Sequence, residues 1–169
     1  MSVRDYPDVA RIYVDMDGVV ADFERAFTEA GQHPKQFKLV PGAYVNLHPI
    51  PGAVEGIHKL LELGFDVFML TKIPSENPYA ASEKFLWMYK HLPIIEDKII
   101  ISADKGAVGT ERDFLIDDHP EWANAHSFPG TVIKFGGEPD STKAADHHPD
   151  WSSLVAMFTQ RKNYFLGRP

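Results

Sequence analysis

The 169-residue chain has no cysteine, which excludes disulfides, thiol nucleophiles and cysteine metal sites. No apolar run approaches the roughly 18 residues that mark a membrane-spanning helix. Met1 to Asp8 contain no apolar signal core, so the expected compartment is the cytoplasm. Positive charge is scarce. Seventeen Lys and Arg face 24 Asp and Glu, giving a net charge of −7, which argues against nucleic-acid polymers as partners. A small anionic substrate stays open, because local cations and a metal ion can outweigh net charge inside a pocket. The eight histidines show no metal-ligand spacing, and there is no internal repeat. The length suits one domain with a sizeable core and a small insertion.

What is present is concentrated near the N-terminus, in Ala10-Arg-Ile-Tyr-Val-Asp-Met-Asp-Gly-Val-Val-Ala-Asp22. Ile12, Tyr13 and Val14 read as a buried strand. Asp15 and Asp17 follow at i and i+2, a spacing that puts two strand-end carboxylates on one face. Gly18 then lets the backbone turn or a ligand approach. Like charges this close repel unless neutralised, and a divalent cation such as Mg²⁺ does so. Turn and cap roles are the plainer alternative for such aspartates. For Asp22, which opens a helix, the capping role competes on equal terms with a place in the site.

Phe23 to Gly31 reads as a short helix stopped by glycine. Residues 32–50 are too apolar for a linker and too irregular for a core strand, so 23–50 is expected to be a small cap or lid. Gly52 to Leu63 is an amphipathic helix, closed by Gly64. Phe65 to Leu70 is the second strand, ending at Thr71-Lys72. Asn77-Pro78 is expected to start a helix running to about His91, with Phe85, Trp87 and Tyr89 in the core. Lys98 to Ser102 is expected to be a third buried strand, and Asp104-Lys105-Gly106 a loop. Phe114 to Ile116 is the fourth strand and ends in Asp117 and Asp118. Pro120 opens a short helix, and Thr131 to Phe135 is the fifth strand. Gly136 to His148 reads as an exposed loop with His147 and His148 on the surface. Asp150 caps a final helix to about Lys162, with Trp151, Leu154, Val155 and Phe158 facing inward.

Strands alternating with helices imply a Rossmann-like, three-layer αβα sandwich around a parallel sheet. Residues 1–22 and 51–169 would form that core, with the cap inserted after the first strand. In such sheets ligands bind outside the carboxyl ends of the strands. Asp15, Asp17, Thr71, Lys105, Asp117 and Asp118 should therefore converge on one site.

Asp15-Met-Asp-Gly-Val-Val-Ala-Asp resembles the first motif of the haloacid dehalogenase superfamily of phosphohydrolases, and within it the 5'(3')-deoxyribonucleotidases. Leu70-Thr-Lys-Ile-Pro is similar to the second motif, and Glu83-Lys-Phe-Leu-Trp-Met to the helix after it. Ala103-Asp-Lys-Gly resembles the lysine motif, and Phe114-Leu-Ile-Asp-Asp-His-Pro the terminal acidic motif. The resemblance implies Asp15 as nucleophile and Asp17 as general acid and base. It implies Mg²⁺ held by Asp15, the Asp17 carbonyl and Asp118, with Asp117 beside it or in its place. Thr71, Lys72 and Lys105 would bind phosphate. Cap aromatics would contact the base, with Phe23, Phe27, Phe37 and Tyr44 as candidates. The implied substrate is a nucleoside monophosphate. A sugar phosphate, transfer to another acceptor, and a non-catalytic phosphate-binding domain are the competing readings.

Overall fold

The computed structural model describes residues 9–139 and 146–167. The N-terminal stretch behind the cytoplasmic expectation lies outside them, as do residues 140–145 of the polar segment after the fifth strand. Six strands form one sheet: β1 (Arg11–Val14), β2 (Asp66–Thr71), β3 (Ile99–Ile101), β4 (Phe114–Asp117), β5 (Thr131–Phe135) and β6 (Asp146–His148). Their order is β3-β2-β1-β4-β5-β6, and every neighbouring pair is parallel. The order reverses at β1, between β2 and β4, which is where an open α/β sheet leaves a crevice for ligands.

Side chains alternate across the sheet, as period-2 geometry requires. Ile12, Val14, Val67, Met69, Phe114, Ile116 and Ile133 face one cluster. Three helices cover that face: α3 (Ala53–Glu62), α4 (Ala80–His91) and α5 (Trp151–Phe165). Tyr13, Leu70, Leu115 and Val132 face the other side, where Ala125 and Phe128 cover them. The cover there comes from two short 3-10 turns, Lys105–Ala107 and Ala125–Ser127, and the chain around them. Burying each large apolar side chain contributes about 1.5–3 kcal/mol, so this two-sided cover holds the strand ends in fixed positions.

Between β1 and α3 the chain forms α1 (Phe23–Glu29) and α2 (Pro34–Phe37). Asp22 caps α1, its carboxylate accepting from the Arg25 amide at 3.0 Å. Two buried indoles stitch the layers together, each satisfying its N–H. Trp151 donates to the Val19 carbonyl and Trp87 to the Leu47 carbonyl, both at 2.8 Å.

Several expectations are corrected. Helix α4 begins at Ala80 rather than at Asn77-Pro78. Asn77 is used in a turn, accepting from the Tyr79 amide and donating to the Lys38 carbonyl. Tyr89 is 48% exposed, so of Phe85, Trp87 and Tyr89 only Trp87 is fully buried. Strand β3 lies at the sheet edge with Ile101 exposed, rather than buried on both faces. Pro120 opens a turn and not a helix, because Ala123 and Asn124 take positive φ (50° and 54°) and break any helical run. The supposed loop before α5 contains β6, and His148 in it is buried.

Gly56 marks the closest approach of α3 to α5. A Cβ there would lie 2.3 Å from Trp151 Cε3. Gly56→Ala should therefore destabilise the protein by about 1–3 kcal/mol through overpacking, despite alanine's better helix propensity. Urea unfolding measures this, and unchanged stability would mean that the α3–α5 contact is loose.

Candidate active site at the carboxyl ends of the strands

Each polar group of the site sits where a strand runs out. Asp15 follows β1, and its amide is held by the Ile116 carbonyl of β4 at 2.9 Å. The amides of Val19, Val20 and Ala21 all point at the Met16 carbonyl, which curls the chain tightly after the acidic pair. Gly18 has φ +81°, and a Cβ on it would lie 2.0 Å from Asp118 Oδ2. Only glycine lets β1's loop and β4's end come this close.

Asp15, Asp117 and Asp118 offer carboxylate oxygens that all lie within 4.8 Å of one another. Lys105, almost fully buried, bridges two of them, at 2.9 Å from Asp15 and 2.6 Å from Asp117. Burial alone would discharge this lysine, but the two carboxylates outweigh it and hold its pKa above the usual value. Both Asp117 oxygens are engaged: Oδ2 takes Lys105 and Oδ1 accepts the His119 amide at 2.8 Å. Lys134 donates to the backbone carbonyl of Asp118 at 2.5 Å, leaving that residue's carboxylate facing Asp15. Burial, and then the charges of Asp15 and its neighbours, push the pKa of both Asp117 and Asp118 up. Three oxygen ligands with unbalanced negative charge suit a hard divalent cation. This cluster is a candidate metal site.

Asp17 points away from the cluster toward a second buried cation. Lys84 on α4 is fully buried and donates to Asp17 Oδ2 (2.8 Å), Thr71 Oγ1 (2.7 Å) and the Lys72 carbonyl (2.9 Å). The other Asp17 oxygen is shielded and has no hydrogen-bond partner among the described residues. Burial raises the Asp17 pKa, with Lys84 opposing and Asp15 adding to the rise. A carboxyl with a raised pKa beside a second carboxylate is of the kind that serves general acid–base chemistry.

The site opens into a cavity of about 870 Å³ that also reaches Lys72, Lys134 and residues 23–50. Phe23, Phe27 and Tyr44 line it, while Phe37 does not and packs behind Phe23 at 5.5 Å between centroids. Lys84 escaped the sequence reading. Its signal was there: Ala80, Lys84, Trp87 and Met88 form the buried stripe of α4, so a lysine occupies an inward helical position.

Comparison with known proteins follows the same lines. A family model described as 5' nucleotidase, deoxy (pyrimidine), cytosolic type C protein matches residues 29–158. The mouse mitochondrial 5'(3')-deoxyribonucleotidase is 30% identical over 190 residues, covering 92% of this chain and 76% of the relative. The human cytosolic type is 31% identical over 142 residues, covering 64% and 70%. A D,D-heptose 1,7-bisphosphate phosphatase from B. bronchiseptica, solved with magnesium and phosphate, aligns with a TM-score of 0.62 and 14% identity. It covers 90% of this chain and 99% of that one, and the likeness is one of fold.

Lys84→Met should raise the Asp17 pKa further, because the cation opposing the rise is gone. The folded state then binds a proton that the unfolded chain releases at about pH 4. The variant's stability relative to wild type should therefore fall as pH rises from the folded Asp17 value of wild type through the variant's higher one. Urea unfolding of both proteins at about pH 5 and pH 8 checks this; a deficit that does not widen at the higher pH would contradict the pairing.

Proposed function

The chain belongs to the 5' nucleotidase, deoxy (pyrimidine), cytosolic type C family of the haloacid dehalogenase superfamily, and we propose that it hydrolyses (deoxy)ribonucleoside monophosphates. The observation that carries the reading is the pairing of two aspartates with two different buried lysines. Asp15 sits against Lys105 beside the metal cluster, and Asp17 sits against Lys84. Asp15 is placed to attack phosphorus, and Asp17 to carry a proton.

In the proposed mechanism, Thr71, Lys72 and Lys105 bind the phosphate oxygens. An Asp15 oxygen attacks phosphorus and the bond to the ester oxygen breaks, leaving an aspartyl-phosphate. Asp17 gives its proton to the departing alkoxide. It then takes a proton from the water that attacks the aspartyl-phosphate, releasing inorganic phosphate and restoring Asp15. Mg²⁺ would be held by Asp15, the Asp17 carbonyl and Asp118, and it supplies charge stabilisation at the phosphoryl group. Asp118 is the better acidic ligand because both oxygens of Asp117 are already engaged. Lys84 orients Asp17 and Thr71 together. Uncatalysed monoester hydrolysis is so slow that enzymes of this class reach accelerations of up to about 10²¹, and fixed cations supply much of that.

Residues 23–50 form the cap in this reading, with Phe23, Phe27 and Tyr44 on the cavity wall. A cytoplasmic location belongs to the same proposal, supported by a cytosolic-type relative; the mitochondrial relative names the competing compartment. Among the described residues no helix is long and apolar enough to cross a membrane.

The deciding experiment measures phosphate release with Mg²⁺ from deoxyribonucleotides, ribonucleotides, sugar phosphates and an aryl phosphate. Nucleotide turnover is expected, and sugar phosphate turnover alone would overturn the substrate assignment. Asp15→Asn should abolish it, and Asp17→Asn should lower it by about 10²–10⁴-fold. Wild-type turnover in excess chelator would refute the metal assignment. Without substrate, Mg²⁺ should raise the melting temperature of wild type and much less that of Asp118→Asn.

A further inference from the structure

Among the described residues, positive φ outside glycine occurs at two positions, and they are neighbours: Ala123 at 50° and Asn124 at 54°. A left-handed backbone crowds Cβ against the following carbonyl, so side-chain-bearing residues take it only where their surroundings hold them there. Both residues lie in the turn after β4, and Ala123 lines the cavity that contains Asp15, Asp17 and Asp118. The sheet topology shows what this turn is needed for. Lys105 follows β3 at the sheet edge, yet its ammonium bonds Asp15 after β1 and Asp117 at the end of β4. Strands β2 and β1 lie between β3 and β4. The bond from the Ser102 amide to the Thr71 carbonyl is where β3 leaves its neighbour, before Lys105 is reached. The lysine's backbone therefore has to be fixed from the β4 side.

The left-handed turn grips that backbone at Asp104, Lys105 and Gly106 in succession. Asn124 Nδ2 donates to Asp104 Oδ1 at 2.8 Å. The Lys105 amide donates to the Ala123 carbonyl, also at 2.8 Å. Gly106 is pressed so close that a Cβ on it would lie 2.7 Å from Asn124 Nδ2. Asp104 Oδ1 also accepts the Gly106 amide at 3.0 Å, which closes the loop on itself. At its start the same turn is tied to Asp117, whose Oδ1 accepts the His119 amide while Oδ2 accepts from Lys105 Nζ. Backbone and ammonium of Lys105 are thus both anchored on the chain that leaves β4.

We propose that the left-handed pair Ala123-Asn124 positions Lys105, setting its backbone so that the ammonium meets the phosphate beside Asp15. Neither residue touches the reacting atoms, and both act through the lysine. The inference rests on the phosphate-binding role given to Lys105 above and adds what aims it. A lysine whose backbone is already fixed has less freedom to lose when it binds. Misplacing a group of this kind by about 1 Å costs up to about 10²-fold in rate. The unfavourable backbone at Ala123 and Asn124 is held in exchange for that aim, as strain at a functional site is.

The test titrates the full chain, with Mg²⁺, with orthophosphate in a calorimeter. Asn124→Val places a β-branched residue where positive φ is required, and Asn124 is exposed, so the fold should survive. This variant should bind orthophosphate about 10-fold more weakly than wild type, the loss expected when one charge-assisted hydrogen bond is misplaced. Ala123→Gly takes the left-handed backbone freely and should stay within about twofold of wild type. In a Lys105→Met background, adding Asn124→Val should change the dissociation constant by less than about twofold, because the group it aims is gone. Wild-type affinity in Asn124→Val, or the same loss with and without Lys105, would overturn the proposal. Should Lys105→Met fail to fold or bind, the contrast between Asn124→Val and Ala123→Gly decides, since an equal loss in both would also overturn it. Failure of the nucleotide reading looks different: wild type would bind orthophosphate but release none from nucleotides.

Discussion

Mutual repulsion among four carboxylates at the carboxyl ends of the two central strands is the constraint on which the rest depends. Asp15, Asp17, Asp117 and Asp118 are gathered where β1 and β4 end, and two buried lysines face them. Removing a charge from water costs several kcal/mol even after relaxation, and an ion pair recovers that only in good geometry. The arrangement is therefore a burden on stability that the apolar sheet must carry. It persists because parallel strands flanked by buried side chains hold the chain ends rigidly. Two lysines against four carboxylates leave an excess of negative charge, and a divalent cation is the economical way to balance it.

Helix α4 links that charge balance to the segment over the site. Lys84 reaches Asp17 and Thr71, and its Nζ also lies 4.8 Å from the centre of the Tyr44 ring. Glu83, the residue before it, turns to the other side and accepts from the amides of Gly42 and Tyr44 at 2.5 and 3.0 Å. One step along the helix thus separates a cation held by Asp17 and Thr71 from an anion anchoring the amides of Gly42 and Tyr44. Trp87, one turn further, donates to Leu47 and fixes the end of the same segment. Any shift of α4 would disturb Asp17 and residues 42–47 together.

The strand ends were legible in the sequence because their pattern is local. An apolar run followed by Asp15 and Asp17, or by Asp117 and Asp118, fixes direction, burial and chemistry within a few residues. So were the helix caps at Asp22 and Asp150, whose carboxylates bond amides three residues on. Lys84 was not, because its role depends on a helix face meeting a distant strand. The helix expected after Pro120 failed for a local reason, the left-handed turn at Ala123 and Asn124, which neither residue type advertises. Strand β6 was hidden by composition. Asp-His-His reads as loop, and its place comes from pairing with Ile133, Lys134 and Phe135 of β5.

The two ends of the cavity answer to different physics. Where β1 and β4 end, the polar groups are tied in place: Asp117 by Lys105 and the His119 amide, Asp17 by Lys84, and Gly18 by the closeness of Asp118. Such a site tolerates little substitution in the phosphoryl group. Toward the cap the wall is aromatic and aliphatic, with lysines at its rim. A surface of that kind gains affinity from area and charge rather than from matched hydrogen bonds, so it accepts a range of leaving groups. The geometry that makes the chemistry strict is thus separate from the surface that selects the substrate. Variation in the cap can retune selectivity while the charge balance at the strand ends stays untouched.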